Sequence, residues 1–370
     1  MHLSRRDLLA GLAAGPFAQA MAGPAQAAGS MSRSALSASN SRLFGTAVQP
    51  AQLVPGTPLE TSIRRDCQLL VPEFHGQWSA VEWVSGEPYH GNYDAIVAYA
   101  RTTGKKVRGH ALIWEQMTPD WARKEMTETR DWVTVKRHFA TLLPRYRGKI
   151  GEWIVVNEMI DTESGDHDVR RNSFQQAYGN DYIARALETA RDLDPEAKLM
   201  INDYSLSQDN PVDAARRTAM LRLVESLKNR GVPIDSVGMQ GHIELAKGPI
   251  AQREVADFMA KLAAMGVEIG ITELDVLEAD RNISLERRDQ EVADAVQSLL
   301  EVACEQPAVK SIVTWGLSDR DSWLQEREPQ TKLAQGRSPV DVRQLNRGLP
   351  FDGDMRAKPM RGVLERMMAA

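Results

Sequence analysis

Glu152-Trp153-Ile154-Val155-Val156-Asn157-Glu158 is a short apolar run that stops abruptly at an amide and a carboxylate. A strand that is apolar on successive residues is buried on both faces, as in a parallel sheet covered by helices. Seven more such runs lie to either side: Leu43–Val48, Cys67–Val71, Lys106–Ile113, Lys198–Ile201, Ser236–Gln240, Val267–Thr272 and Ser311–Trp315. Amphipathic stretches separate them, at Tyr93–Thr102, Trp132–Arg145, Asp181–Asp192, Asp213–Asn229, Ile250–Met265 and Ser284–Glu305. Gly104, Gly231 and Gly266 stand where a helical run gives way to a strand, the place of a helix-ending glycine. Eight strand–helix units predict an α/β fold, a single (β/α)8 TIM barrel over residues 43–370. An open doubly wound sheet would want a glycine-rich phosphate loop after its first strand. Gly45-Thr46-Ala47-Val48 is not one, and no G-x-G-x-x-G occurs.

The 370 residues are 42 % apolar and 26 % charged, which excludes a disordered, fibrous or multi-span membrane protein. A net charge of −5 argues against a nucleic-acid partner. Cys67 and Cys304 form neither a disulfide framework nor a metal pattern and read as buried free thiols. Residues 1–28 have the layout of a twin-arginine signal peptide. Arg5-Arg6 precede an Ala- and Gly-rich stretch, and Ala25-Gln26-Ala27 offers small residues for cleavage. That apolar stretch is short and broken by Gly11, Gly15 and Pro16, so no membrane anchor is expected after its removal. Residues 29–42 read as a linker. The expectation is an exported protein, periplasmic or extracellular, and nothing in the sequence demands more than a monomer.

A barrel places its chemistry at the C-terminal ends of its strands. Those ends are polar here. The fourth strand ends in Asn157-Glu158 and the seventh in Thr272-Glu273-Leu274-Asp275. The third runs into His110 and Trp114, the fifth into Asn202-Asp203-Tyr204, and the sixth into Gln240-Gly241-His242. Trp315 closes the eighth, with Trp323 beyond. Two carboxylates across such a mouth, Glu158 and Glu273, can divide acetal chemistry. One, held protonated, gives its proton to the leaving oxygen; the other, ionised, attacks the anomeric carbon. A separation of ~5–5.5 Å would mean retained configuration. His110 and His242 stand alone on separate strands without metal-ligand spacing, so no metal is expected. His242 beside Glu273 and Asp275 fits a role in orienting a carboxylate.

These segments identify a resemblance. Trp153–Glu158 resembles the W-D-V-V-N-E strand of glycoside hydrolase family ten, the endo-β-1,4-xylanases, and Ile271–Asp275 resembles its I-T-E-L-D strand. Arg108-Gly109-His110, Ile201–Tyr204, Gln240-Gly241-His242, Thr314-Trp315-Gly316, Phe351-Asp352 and Lys358-Pro359 match in order, so the likeness covers roughly residues 43–368. It implies a retaining mechanism on a polysaccharide, without metal or cofactor. It makes Glu158 the general acid/base and Glu273 the nucleophile. Asn157 would hold the sugar 2-hydroxyl, Gln240 would help position that sugar, and His242 with Asp275 would fix the charge of Glu273. His110 and Trp114 would line the same subsite, and Trp315 and Trp323 would wall the glycone side.

The family's second-strand pattern P-E-N-x-M-K-W appears as Pro72-Glu73-Phe74-His75-Gly76-Gln77-Trp78. Glu73 and Trp78 match, Phe74 replaces Asn and Gln77 replaces Lys. Glu73, Gln77, Trp78 and Tyr204 complete the expected substrate contacts. After the third strand W-H-S-Q appears as Trp114-Glu115-Gln116-Met117. These changes remove polar groups from the subsite next to the cleavage point and leave a second reading open, the same chemistry on another β-linked polymer such as a bacterial exopolysaccharide. A non-catalytic carbohydrate-binding barrel is the third.

Overall fold

The computed structural model describes Leu36 and residues 42–325 and 344–369. The signal-like segment and nearly all of the linker lie outside the described residues. The strands are β1 (Leu43–Val48), β2 (Leu69–Pro72), β3 (Lys106–Gly109), β4 (Glu152–Asn157), β5 (Lys198–Asp203), β6 (Ser236–Met239), β7 (Glu268–Leu277) and β8 (Val309–Thr314). Each pairs in parallel with its neighbours in chain order. The pairing of Leu43 with Ser311 joins β1 to β8, so the eight strands form a closed (β/α)8 TIM barrel.

Among the described residues, the main helices that alternate with the strands are α1 (Pro58–Asp66), α2 (Gly91–Thr102), α3 (Val133–Tyr146), α4 (Tyr182–Leu193), α5 (Pro211–Asn229), α6 (Gln252–Ala264), α7 (Leu285–Glu305) and α8 (Pro359–Ala369), with shorter helices in the loops. Their starts are chemically marked. Thr57 accepts a hydrogen bond from the Glu60 N–H and Asn210 from the Asp213 N–H, each with proline at the first helical position. The apolar faces turn inward. In α3, Val135, Phe139, Leu142 and Leu143 are fully buried, each side chain stabilising the fold by about 1.5–3 kcal/mol. The three predicted helix-ending glycines all adopt positive φ, between 67° and 74°, which only glycine takes without cost.

Several sequence expectations need correction, among them β3, which stops at Gly109 rather than Ile113. β7 does not stop at Thr272 but runs on to Leu277, and its pairing with β8 slips between Ile271 and Leu274. This bulge lets a polar tail continue along the barrel wall. The short strand His242–Glu244 pairs with that tail, His242 facing Asp275. The cysteines are both free as expected, but only Cys67 is buried; Cys304 is half-buried on α7.

Candidate active site

The register of the strands assembles the site before any side chain is considered. Asn157 at the end of β4 lies opposite Asn202 at the end of β5. The Asn202 amide therefore donates to Asn157 Oδ1 at 2.8 Å and to Glu273 Oε1 at 2.6 Å, while its own oxygen accepts from the Thr272 hydroxyl at 2.6 Å. Gln240, just past β6, donates to both Asn157 Oδ1 and Glu158 Oε1 at 3.3 Å. A continuous chain of three amides thus links Glu158 to Glu273. Gly238 makes room for it, because a Cβ there would lie 2.1 Å from Asn202 Oδ1.

Glu158 follows β4 with a φ of +58°, a left-handed conformation costly for a glutamate. Its backbone is gripped on both sides. Its N–H donates to the Asn202 carbonyl at 2.9 Å, and Arg170 Nε donates to its carbonyl at 2.8 Å. The buried Asp203 accepts from the Ile160 N–H at 2.8 Å and pairs with Arg216. The Glu158 carboxyl also receives the amide of Gln116 on Oε2 at 3.3 Å. Loss of hydration and then the negative charge of Asp203 push this carboxyl up to about 7; Glu273 adds to the rise, and Trp114 and Gln240 oppose it.

Glu273 is held the other way. Burial alone would raise its carboxyl, but the imidazoles of His110 and His242 and the Asn202 amide overcome burial and hold it below the ordinary glutamate value. Of the two imidazoles, His242 is the one that carries its charge at neutral pH. Burial disfavours its protonation, yet Asp275 at 2.7 Å from Nδ1 and Glu273 at 3.3 Å from Nε2 raise it to about 10, so it is an imidazolium at neutral pH. Trp323 Nε1 donates to the other Asp275 oxygen at 2.6 Å. His110 is fully buried and burial lowers its value, so it stays neutral there.

The aromatic wall is assembled around these groups. Trp315 meets His110 edge-on at 5.1 Å between ring centres and His242 at 6.3 Å, and Trp323 lies 5.1 Å from His242. Trp114 tilts against His110 at 6.3 Å. Tyr204 stands one layer back. Its hydroxyl accepts from Arg170 at 2.7 Å and its ring lies under Arg216. Glu73 accepts from Gln49 at 3.0 Å, and Gln77 is buried with its amide on the Glu73 carbonyl.

Trp78 departs from its sequence reading. It is 2 % exposed and stacks flat on His138 at 4.1 Å, with Trp121 against its edge. It belongs to the packing behind the site and presents no face to a sugar. Conversely, Asn202, Asp203, Gln116, Arg170 and Arg216 were not singled out as site residues. Asn202 and Asp203 were visible as a polar strand end. The two arginines lie on a loop and on α5 and gave no local signal.

Comparison with known proteins follows the same lines. Residues 32–365 match the family model of glycosyl hydrolase family 10. The chain is 32 % identical over 334 residues to an endo-1,4-beta-xylanase A of Thermoanaerobacterium saccharolyticum, covering 85 % of this chain but only 26 % of that protein. It is 31 % identical to endo-1,4-beta-xylanase 3 of Hypocrea jecorina over 77 % of this chain and 76 % of the other. A crystal structure of an intracellular xylanase from T. saccharolyticum superposes with a TM-score of 0.72 at 30 % identity, covering 87 % of this chain and 95 % of that one. Barrel, polar strand ends and family match agree over the same residues, and the chain belongs to glycosyl hydrolase family 10.

Proposed function

We propose that this protein is a retaining endo-1,4-β-xylanase that hydrolyses internal β-1,4-xylosidic bonds of xylan. The observation that carries the reading is the opposite protonation of the two carboxyls, Glu158 raised to about 7 and Glu273 held low, bridged by the Gln240–Asn157–Asn202 amides. In the first half-reaction a Glu273 oxygen bonds to the anomeric carbon. The glycosidic C–O bond breaks, and the leaving oxygen keeps its electron pair and takes the Glu158 proton. In the second, a water oxygen bonds to the anomeric carbon, the bond to Glu273 breaks with its pair returning to the carboxylate, and Glu158 takes the water proton. Asn157 is suited to hold the 2-hydroxyl, a contact that strengthens as charge develops on the ring. Trp315 and Trp323, packed around His110 and His242, are suited to wall the sugar site. The relatives named xylanase support xylan as the polymer. The Arg5-Arg6 segment supports export by the twin-arginine route.

The replacements Phe74, Gln77 and Met117 favour a second polymer as the alternative. Product analysis on linear xylan and on a panel of β-glucans and exopolysaccharides separates the two, with Glu273→Ala beside the wild type. Xylo-oligosaccharides from the wild type alone are the expected result. Turnover that survives Glu273→Ala would sink the mechanism, and silence on xylan with cleavage of another polymer would replace the substrate.

A further inference from the structure

Glu158 has two carboxyl oxygens, and each receives one side-chain amide. Gln240 Nε2 reaches Oε1 from the buried end of β6, and Gln116 Nε2 reaches Oε2 from the loop after β3, both at 3.3 Å. The two amides differ in setting. Gln240 is buried and also donates to Asn157, so it belongs to the chain that links the two carboxylates. Gln116 is exposed and makes its bond to Glu158 from the solvent side of the mouth. An amide N–H stabilises a carboxylate more than a carboxylic acid.

We propose that Gln116 is a positioning residue for the acid/base, fixing the plane of the Glu158 carboxyl together with Gln240 and favouring its ionised form. The proposal rests on the retaining mechanism given above. The ionised form is the one that must accept a proton from water in the second half-reaction, so Gln116 serves that step most. The charged groups that face Glu158 are Asp203 from β5, Glu273 from β7 and Arg170 from the loop after β4, with Arg216 of α5 acting through Asp203. Two of these are carboxylates that resist ionisation of Glu158. Gln116 opposes them without bringing a charge of its own, and an exposed side chain can swing aside when a sugar enters.

The test is a 13C NMR titration of glutamate side-chain carboxyls in wild type, Gln116→Ala and Gln116→Glu, with the Glu158 signal assigned by its loss in Glu158→Gln. It needs no substrate. Removing the donor should move the Glu158 midpoint upward by about 0.5–1 pH unit, and the added carboxylate of Gln116→Glu should move it further. The Glu273 midpoint should stay in place. On an aryl β-xylobioside with a dinitrophenol leaving group, where the second half-reaction limits turnover, kcat of Gln116→Ala should fall several-fold. An unmoved Glu158 midpoint in both variants overturns the proposal, and so does an equal shift at Glu273, which would mean a general disturbance of the site. If wild type cleaves no β-xyloside, the xylanase reading fails while the titration still decides the role of Gln116.

Discussion

His242, together with His110, favours the ionised form of Glu273. Its ring lies between Asp275 and Glu273, and with a value of about 10 it carries a proton through the whole range in which Glu158 titrates. The proposed mechanism needs Glu273 ionised and Glu158 protonated, so the pH–rate profile is expected to be a bell. Its alkaline limb lies near pH 7, where Glu158 loses its proton, and its acid limb lies where Glu273 gains one, below the ordinary glutamate value. The variant His242→Asn removes the imidazolium that favours the Glu273 carboxylate. Its acid limb should move upward by about 1 pH unit or more, narrowing the bell from the acid side while the alkaline limb stays. Profiles of kcat/KM in the two proteins check this, and an unmoved acid limb would assign the charge control elsewhere.

At the scale of elements, close packing between neighbouring strands sets what each may carry. Gly109 ends β3 directly against Trp153 of β4, and a Cβ there would lie 2.0 Å from the indole. Gly109→Ala should therefore destabilise the fold by about 1–3 kcal/mol, read as a lower urea midpoint, because both the strand and the buried ring are fixed. The strands themselves were legible in the sequence, since each is a run of apolar residues with a polar end. The tail of β7 was not. Its alternation breaks at Thr272-Glu273, and only pairing with β8 and with His242–Glu244 reveals that the strand continues. Helix α1 is not among the amphipathic stretches the sequence marks out, although Thr57-Pro58-Leu59-Glu60 carries its cap, its proline and its first-turn acid. Trp78 was read as a cleft residue because a tryptophan suits both a sugar face and a core, and sequence alone does not separate the two uses. Glu158, Glu273 and His242 were legible because each is a polar residue that closely follows an apolar run in the sequence. Asn202 became legible as a site residue only through its register with Asn157.

For the whole molecule, the packing layer outside the barrel carries its own pH dependence. His138 on α3 is fully buried between Trp78 and the Leu112 carbonyl, and loss of hydration lowers its value to about 3. The unfolded chain can protonate this histidine below about pH 6.5, whereas the folded one resists until about 3. Stability is thus fully present above pH 6.5 and declines as pH falls toward 3, by at most about 1.4 kcal/mol per pH unit from this group. His138→Gln keeps a donor for Leu112 and removes the titration, so its unfolding free energy should fall less steeply over that window, measured by denaturant melts at a series of pH values. The joining of β1 to β8 has another implication. Arg361 of α8 also reaches Asp66 of α1 at 3.4 Å, so the first and last elements of the barrel are neighbours twice over. Such a ring has no inherent starting point. The order in which its eight units are read is a property of the gene, and the exposed turn Arg147-Gly148-Lys149 could serve as the beginning of the same circle.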